Sequence, residues 1–263
     1  MEIEYNGSPY CGWQSQPDGR TVQDFVQRSL SKVASHPVQV QCAGRTDAGV
    51  HATAQIAHFD TESSRSERQW VLGVNTNLPK SINVSWVRPV SDDFHARFSA
   101  LVRRYRYVIL NRQHRSALLH ERVHFEPRML NSANMHSAAR CLIGEHDFTA
   151  FRAAGCQAKS PVRTIHSVLV SQHGDFITID IEANAFLQNM VRIIVGTLLR
   201  IGRGDEQVCW LNDVLVACDR KHLGATAPAE GLYLTAVKYA DAHGLPYRAQ
   251  EPGIFPFIGD PAL

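Results

Sequence analysis

The chain has 263 residues, of which 44% are hydrophobic and 20% charged, and its formal net charge is +2. This is an ordinary globular composition with room for one large domain or two smaller ones. No apolar run approaches the roughly 20 residues that a membrane-spanning helix needs. Because the chain also shows no secretion-signal pattern, we expect a cytoplasmic protein.

The first half alternates between patterns typical of strands and of helices. Period-two or β-branched runs predict strands at residues 1–5, 38–42, 54–59 and 82–87. Apolar residues at helical spacing predict helices at 21–33, with Thr21 as the N-cap, and at 67–76. The order β-α-β-β-α-β is that of the split βαβ arrangement.

The second half carries a similar succession of patterns. They predict strands at 101–110, 162–172, 176–182 and 232–239, and helices at 131–142, 186–201 and 208–217. A Gly at position 174 suggests a hairpin between the two middle strands. We therefore predict an α+β fold of two similar halves, residues 1–98 and 99–263, with mainly antiparallel sheets flanking a catalytic cleft. The tail from His243 is expected to lie extended over the surface.

Two compositional features bear on partners. The six cysteines form no C-x-x-C pair, so we expect free thiols and neither a zinc site nor a redox pair. Six arginines fall within residues 97–115, a stretch that contains no acidic residue. A local basic patch on a nearly neutral protein suits an RNA-processing enzyme, although a solvated face would look the same.

Residues 44–52 read GRTDAGVHA and lie between two predicted strands. The glycines in this segment suggest unusual backbone angles, which can present a side chain at a fixed orientation. Asp47 is the only carboxylate between Asp24 and Asp60, and Arg45 precedes it by two residues. A nearby guanidinium favours the ionised form that a nucleophile or base requires. An Asp in such a segment can equally be a turn residue that bonds its own backbone.

Nine short blocks together resemble the tRNA pseudouridine synthase A (TruA) family, in family order over roughly residues 2–240. They are EYNG (4–7), GWQ (12–14), AGRTDAGVH (43–51), NTNLP (75–79), FHAR (94–97), RYRY (104–107), NAF (184–186), MVR (190–192) and APAEGL (227–232). One small departure is Asn6, where the family often has Asp.

The resemblance implies the pseudouridine synthase fold and an activity. Asp47 would be the catalytic aspartate that converts uridines at positions 38 to 40 of the tRNA anticodon stem-loop to pseudouridine. The N1–C1′ bond breaks, the uracil turns in its pocket, and it rejoins through C5. Whether Asp47 adds to C1′ or takes a proton from C2′ stays open. The family implies a homodimer that uses no metal or cofactor.

Three further residues are predicted to support the reaction. The resemblance places the family's active-site tyrosine at Tyr105, whose ring could stack on the flipped uracil. Tyr107 we interpret as an ordinary sheet residue. Arg192, set among large aliphatic residues, matches a basic residue that pairs with the catalytic Asp; the alternative is an arginine at a solvated helix edge. Arg45 would assist Asp47.

The arginine-rich stretch supplies the predicted RNA contacts. Arg97, Arg103, Arg104 and Arg106 are candidates for binding phosphates of the tRNA backbone. His51 and His95 could contribute, but structural roles are the commoner use of such histidines.

Two other functions are compatible with parts of the pattern. A non-catalytic RNA-binding module would keep the fold, but it would not need Asp47, Arg45, Tyr105 and Arg192 together. A phosphotransfer enzyme with an Asp nucleophile would need a phosphate-binding loop or a run of metal-binding acids, and neither is present.

Overall fold

The structure is a computed structural model, and it describes residues 1–220 and 223–249. Its strands are β1 (Glu2–Tyr5), β2 (Gln41–Cys42), β3 (His51–His58), β4 (Ile82–Trp86), β5 (Val102–Asn111), β6 (His124–Glu126), β7 (Gly144–Asp147), β8 (Val162–His173), β9 (Phe176–Ala183) and β10 (Leu232–Lys238). Its helices are α1 (Val22–Ala34), α2 (Glu67–Asn77), α3 (Ser132–Ala139), α4 (Met190–Gly202) and α5 (Trp210–Ala217). Among the described helices, none has the length and apolar character needed to cross a membrane.

The chain divides into two compact units. The first comprises Met1–Arg103 together with the segment that begins at Tyr233, and the second comprises Arg104–Leu232. The division after residue 103 lies close to the boundary expected after residue 98. The segment from Tyr233 was expected in the second half, but its strand β10 runs parallel to β3 and joins the first unit. That pairing joins residues far apart in sequence, which local patterns do not reveal.

The first unit follows the predicted order β1-α1-β2-β3-α2-β4. Strand β1 lies antiparallel between β3 and β4, and β2 pairs antiparallel with β3. Helix α1 begins as predicted, because the Thr21 hydroxyl accepts from the Asp24 amide and the Asp24 carboxylate accepts from the Thr21 amide. Its buried face includes Val22, Val26 and Leu30. The predicted strand at 38–42 is shorter than expected, only Gln41–Cys42.

The second unit has the sheet order β5-β9-β8-β7, with β6 parallel to β5. Strands β8 and β9 form the predicted antiparallel hairpin, and Gly174 in its turn has φ +57°. Helices α3 and α4 pack on each other, and a Cβ on Gly202 of α4 would lie 2.6 Å from Met135 Sδ, so the Met135 side chain would have to shift. Strands β6 and β7 were not predicted, and α4 begins at Met190, four residues later than expected. The predicted α+β class with mainly antiparallel sheets is confirmed.

Two histidines in these units are held in the neutral form. Burial lowers the pKa of His58 below its usual value, and the nearby His95 lowers it further. The His58 Nδ1 also accepts a hydrogen bond from the Ala96 amide at 3.1 Å, which requires an unprotonated nitrogen. Burial likewise lowers the pKa of His124.

The lowered pKa values of His58 and His124 predict that acid destabilises the fold. The unfolded chain takes up protons on these imidazoles near pH 6.5, whereas the folded chain does so only at lower pH. Their contribution to stability is therefore complete above pH 6.5 and is lost as the pH falls toward the folded pKa values. We expect a lower urea midpoint at pH 5.5 than at pH 7.5. His58→Asn, which keeps an acceptor that does not titrate, should reduce that difference; an equally large difference would contradict the assignment to His58.

Candidate functional site

The loop that carries Asp47 connects β2 to β3 in the first unit. Asp47 is half-buried, and Arg45 is exposed. The Val50 amide donates to the Asp47 carbonyl at 3.1 Å and so closes a turn. Gly49, within that turn, has φ +79°, a conformation that other residues adopt only with strain. The prediction of unusual backbone angles is confirmed at Gly49, whereas Gly44 does not have a positive φ.

A segment near the N-terminus holds the middle of this loop at Thr46. The Tyr5 hydroxyl lies 2.8 Å from the Thr46 hydroxyl, and the Trp13 amide donates to the Thr46 carbonyl at 3.0 Å. Gly12 makes this approach possible, because a Cβ there would lie 2.8 Å from the Thr46 oxygen and its φ is +88°. The residue that precedes Asp47 is therefore held by neighbours within the same unit.

The base of the loop is tied to the strand that follows it. The fully buried Gln55 amide donates to the Gly44 carbonyl at 2.6 Å and accepts from the Gly44 amide at 3.4 Å. His51, only 1% exposed, accepts the Gly7 amide on Nδ1 at 3.0 Å and stacks on the Tyr233 ring at 4.6 Å. These two contacts suit the structural role, the commoner of the two considered for it. Sequence reasoning missed Gln55, whose signal is a glutamine between the apolar residues Ala54 and Ile56 of the strand 51–58.

Arg103 sits beneath the same loop as a buried cation. Its Nη2 donates to the carbonyls of Arg97 at 2.6 Å and Ala43 at 3.1 Å, while Nη1 donates to the Ala100 carbonyl at 3.0 Å. The Arg103 donors that bond these carbonyls therefore point into the protein. Arg103 therefore connects the beginning of the Asp47 loop to the 97–100 segment.

Arg104 and Arg106 lie on the same side of β5 in the second unit, as the strand alternation predicted. Arg106 is only 3% exposed and binds Asp180 of β9 through two bonds, Nε–Oδ1 at 2.9 Å and Nη2–Oδ2 at 2.8 Å. Arg104 approaches the same carboxylate at 3.4 Å and Glu182 at 3.9 Å. Sequence reasoning missed Asp180, although a polar face at 178, 180 and 182 in an isoleucine-rich strand was the available signal.

The tyrosines of β5 lie in the interior of the second unit. Tyr105 is 8% exposed, and its ring meets Phe186 edge-to-face with centroids 5.1 Å apart. Tyr107 is completely buried and donates its hydroxyl proton to the Pro228 carbonyl at 2.8 Å. Burial raises the pKa of Tyr107 well above its usual value, so the residue is a neutral structural element, as predicted.

Arg192 lies in the first turn of α4 and is half-buried. Its Nε donates to the Ala227 carbonyl at 2.8 Å, and its Nη1 donates to Asn189 Oδ1 at 3.1 Å. The Ala227 amide in turn donates to the Arg192 carbonyl at 3.0 Å. The guanidinium is therefore anchored by the 227 segment and the N-cap, which is unlike an arginine extended into solvent at a helix edge.

One segment has the spacing of a zinc motif without its geometry. Residues His120 to His124 follow the pattern H-E-x-x-H, which binds zinc when both histidines lie on one helix. Here Glu121 has φ +57°, which a helix excludes, and His124 begins strand β6. Within residues 1–220 and 223–249, no group of three His, Cys, Asp or Glu side chains is placed to hold a metal ion.

The matched residues therefore fall into two sets. Asp47, Arg45, Arg97 and Arg103 belong to the first unit, and Tyr105, Arg104, Arg106 and Arg192 belong to the second. Within the first unit, a braced and partly accessible carboxylate lies near an exposed guanidinium in sequence. The second unit contains a buried arginine–aspartate network, the anchored Arg192 and the buried tyrosines of β5.

Comparison with known proteins gives a consistent result. The family described as tRNA pseudouridine synthase matches residues 1–99 and 138–240. The chain is 52% identical to the tRNA pseudouridine synthase A of Shewanella amazonensis, over 97% of this chain and 98% of that protein. It is equally 52% identical to the Escherichia coli protein of the same name, over 94% and 91% of the two chains, and to that of Hydrogenovibrio crunogenus, over 93% of each. The chain belongs to the tRNA pseudouridine synthase family.

Proposed function

We propose that this protein isomerises uridine to pseudouridine at positions 38 to 40 of the tRNA anticodon stem-loop, with Asp47 as the catalytic carboxylate. Family membership supports an isomerase that acts on tRNA. The observation that carries the assignment to Asp47 is its position in the AGRTDAGVH loop. Within this loop, Thr46 is bonded to Tyr5 and Trp13, and Gly44 is bonded to Gln55. Such bracing keeps a reacting group in one orientation before substrate arrives.

The proposed reaction needs little beyond a positioned carboxylate and a cavity for the base. The N1–C1′ bond breaks, the uracil turns, and a C5–C1′ bond forms. A proton leaves C5 and N1 gains one, so atoms balance without an oxidant or reductant. Asp47 either adds to C1′ or removes the C2′ proton; both routes use the ionised carboxylate.

Supporting roles are proposed for three residues. Tyr105 would contact the uracil ring, and Arg45, which is exposed, would contact the substrate next to Asp47. The proposed pairing of Arg192 with the catalytic carboxylate rests on the family resemblance. Its anchoring by Ala227 and Asn189 supports a guanidinium that is oriented in advance.

Fewer arginines are proposed to contact RNA than the four expected from the sequence. Arg103 and Arg106 are buried and donate to protein oxygens, which suits structural roles and leaves them poorly placed to reach phosphates. Arg97 is exposed, whereas Arg104 keeps only a small exposed part. We assign phosphate binding to Arg97 first. The family resemblance also leads us to propose a homodimer that works in the cytoplasm.

Asp47→Asn should abolish catalysis and leave the fold and tRNA affinity close to wild type, because the amide keeps the shape but is neither a nucleophile nor a base. The measurement is tritium release from C5-tritiated uridine in unmodified tRNA, alongside tRNA binding. Asp60→Asn, which alters an exposed carboxylate of the same unit, is the matched control and should remain active. Retention of more than about a few per cent of the wild-type rate by Asp47→Asn would refute the mechanism. If wild-type protein bound tRNA without releasing tritium, the chain would be a binding module.

Substitutions at Tyr105 should separate ring contact from proton handling. If the ring acts only by stacking, Tyr105→Phe should bind and turn over nearly normally while Tyr105→Leu is impaired. If the hydroxyl takes part in chemistry, Tyr105→Phe should bind tRNA but turn over slowly. Single-turnover rates at saturating enzyme measure the difference. Normal turnover by Tyr105→Leu would remove this residue from the site.

Arg97→Ala should weaken tRNA binding and flatten the dependence of log affinity on log salt by about one unit, because one phosphate contact releases about one counterion. Arg65→Ala alters another arginine of the same unit and is the control. The measurement is a binding titration at several salt concentrations. Affinity and slope both unchanged from wild type would mean that Arg97 faces away from RNA.

A further inference from the structure

An exposed aromatic side chain stands on a short turn of the first unit, outside the residues assigned to the reaction. Phe98 is 76% exposed, and it is the one phenylalanine among the exposed large hydrophobic residues of the described chain. Exposing a phenyl ring contributes nothing to folding, because its apolar surface stays in contact with water. A ring held in that position is therefore a candidate for contact with another molecule.

The turn that carries Phe98 is organised by the imidazole of His95. The His95 Nδ1 accepts from the backbone amides of Arg97 at 3.1 Å and Phe98 at 3.2 Å. Since Nδ1 is the acceptor, Nε2 carries the proton and donates to Gln41 Oε1 at 2.7 Å. Ser99 closes the turn, its amide donating to the His95 carbonyl at 2.9 Å and its hydroxyl accepting from the His95 amide at 3.0 Å.

The turn is also bound to the body of the unit. The Ala96 carbonyl accepts from the Tyr239 hydroxyl at 2.7 Å, and the Ala96 amide donates to His58 Nδ1 at 3.1 Å. The Arg97 carbonyl accepts from Arg103 at 2.6 Å, and the same Arg103 nitrogen donates to Ala43, where the Asp47 loop begins. These bonds hold the backbone of the turn that carries Phe98 and connect it, through Arg103, to the beginning of the Asp47 loop.

The side chains beside the Phe98 ring belong to the residue types on which unpaired RNA bases stack. The Arg97 guanidinium lies 5.6 Å from the Phe98 ring centroid, and the His95 ring lies 4.3 Å away at an interplanar angle of 33°. Bases of single-stranded RNA stack on aromatic, histidine and arginine planes, with sequence-tolerant energies. A cation beside the ring also suits the phosphates next to such a base.

We propose that Phe98, flanked by His95 and Arg97, is a stacking platform for an unpaired nucleobase of the tRNA substrate. The inference rests on the proposed function in that the RNA is tRNA. Phe98 acts by positioning the RNA, and it takes no part in bond making or breaking.

Binding to an anticodon stem-loop RNA and to full-length tRNA tests the platform, using Asp47→Asn protein as the parent so that no turnover alters the RNA. Loss of one stacked base predicts affinity about 5- to 150-fold weaker for Phe98→Ala. Phe98→Leu should be similarly impaired, because it keeps apolar bulk but not the ring, whereas Phe98→Trp should bind like the parent. The salt dependence should be unchanged, in contrast to Arg97→Ala. Leu72→Ala, which removes another exposed apolar side chain of this unit, should have no effect.

A double-mutant cycle identifies the base. Abasic substitutions are introduced one at a time at the unpaired positions of the stem-loop, and each RNA is tested with the parent protein and with the Phe98→Ala variant. At one position, the effect of Phe98→Ala should disappear, because the base that the ring stacks on is already missing. Urea midpoints equal to the parent's establish that the variants fold.

Three results would overturn the proposal. They are unchanged tRNA affinity in Phe98→Ala, full affinity in Phe98→Leu, or a change of oligomeric state in sedimentation with tRNA affinity retained, which would assign the ring to contact with a second copy of the chain. An effect on full-length tRNA but not on the stem-loop would keep the platform and refute the anticodon-arm assignment. Because these are binding measurements, they remain interpretable if the tritium-release experiment fails.

Discussion

The hydrogen bonds of the buried Arg103 guanidinium are the interaction on which both the beginning of the Asp47 loop and the 97–100 segment depend. Its donors bind the backbone carbonyls of Ala43, Arg97 and Ala100. A charged donor makes stronger hydrogen bonds than a neutral one, and the planar guanidinium can serve several acceptors at fixed angles. The beginning of the Asp47 loop and the turn that carries Phe98 are therefore held by one side chain. A lysine could not reproduce this geometry, because its ammonium is a compact point charge.

The loop that carries Asp47, the proposed catalytic carboxylate, is held by contacts within the first unit. Two residues that precede Asp47 are held by neighbours of the same unit. The Gln55 side chain bonds the Gly44 backbone, and Thr46 is bonded through its carbonyl to the Trp13 amide and through its hydroxyl to Tyr5. Glycine at position 12 is required for the close approach, since any side chain there would collide with the Thr46 carbonyl. The aspartate itself remains half-buried. Rigid backbone with a partly accessible side chain is the arrangement that preorganised catalysis needs.

Strand β5 uses its arginines in a different way. Arg106 and Arg104 converge on Asp180 of the neighbouring strand, and the first of these pairs is almost completely excluded from solvent. Such a pair is weak support for stability, but removing one partner leaves a buried charge, which costs roughly 3–5 kcal/mol. These ion pairs join β5 to the neighbouring strand β9. Exposed Arg97 remains available for a partner, and it lies next to the exposed phenylalanine of the turn that Arg103 holds.

The sequence by itself determined the α+β class, the β-α-β-β-α-β order of the first unit, the hairpin at Gly174, the Thr21 helix start and the family, because these depend on local periodicity, turn chemistry and motif residues. Only the tertiary structure decided which arginines are buried and which groups they bond. Four arginines look alike in the basic stretch of the sequence. In the structure, Arg103 bonds backbone carbonyls, Arg104 and Arg106 form a buried ion-pair network, and Arg97 is exposed. The tertiary structure also brought β10 beside β3 and made a two-residue strand of 38–42. The physical reason is that burial and the choice of hydrogen-bond partner depend on residues distant in sequence, such as Ala43 and Asp180, which local patterns cannot identify.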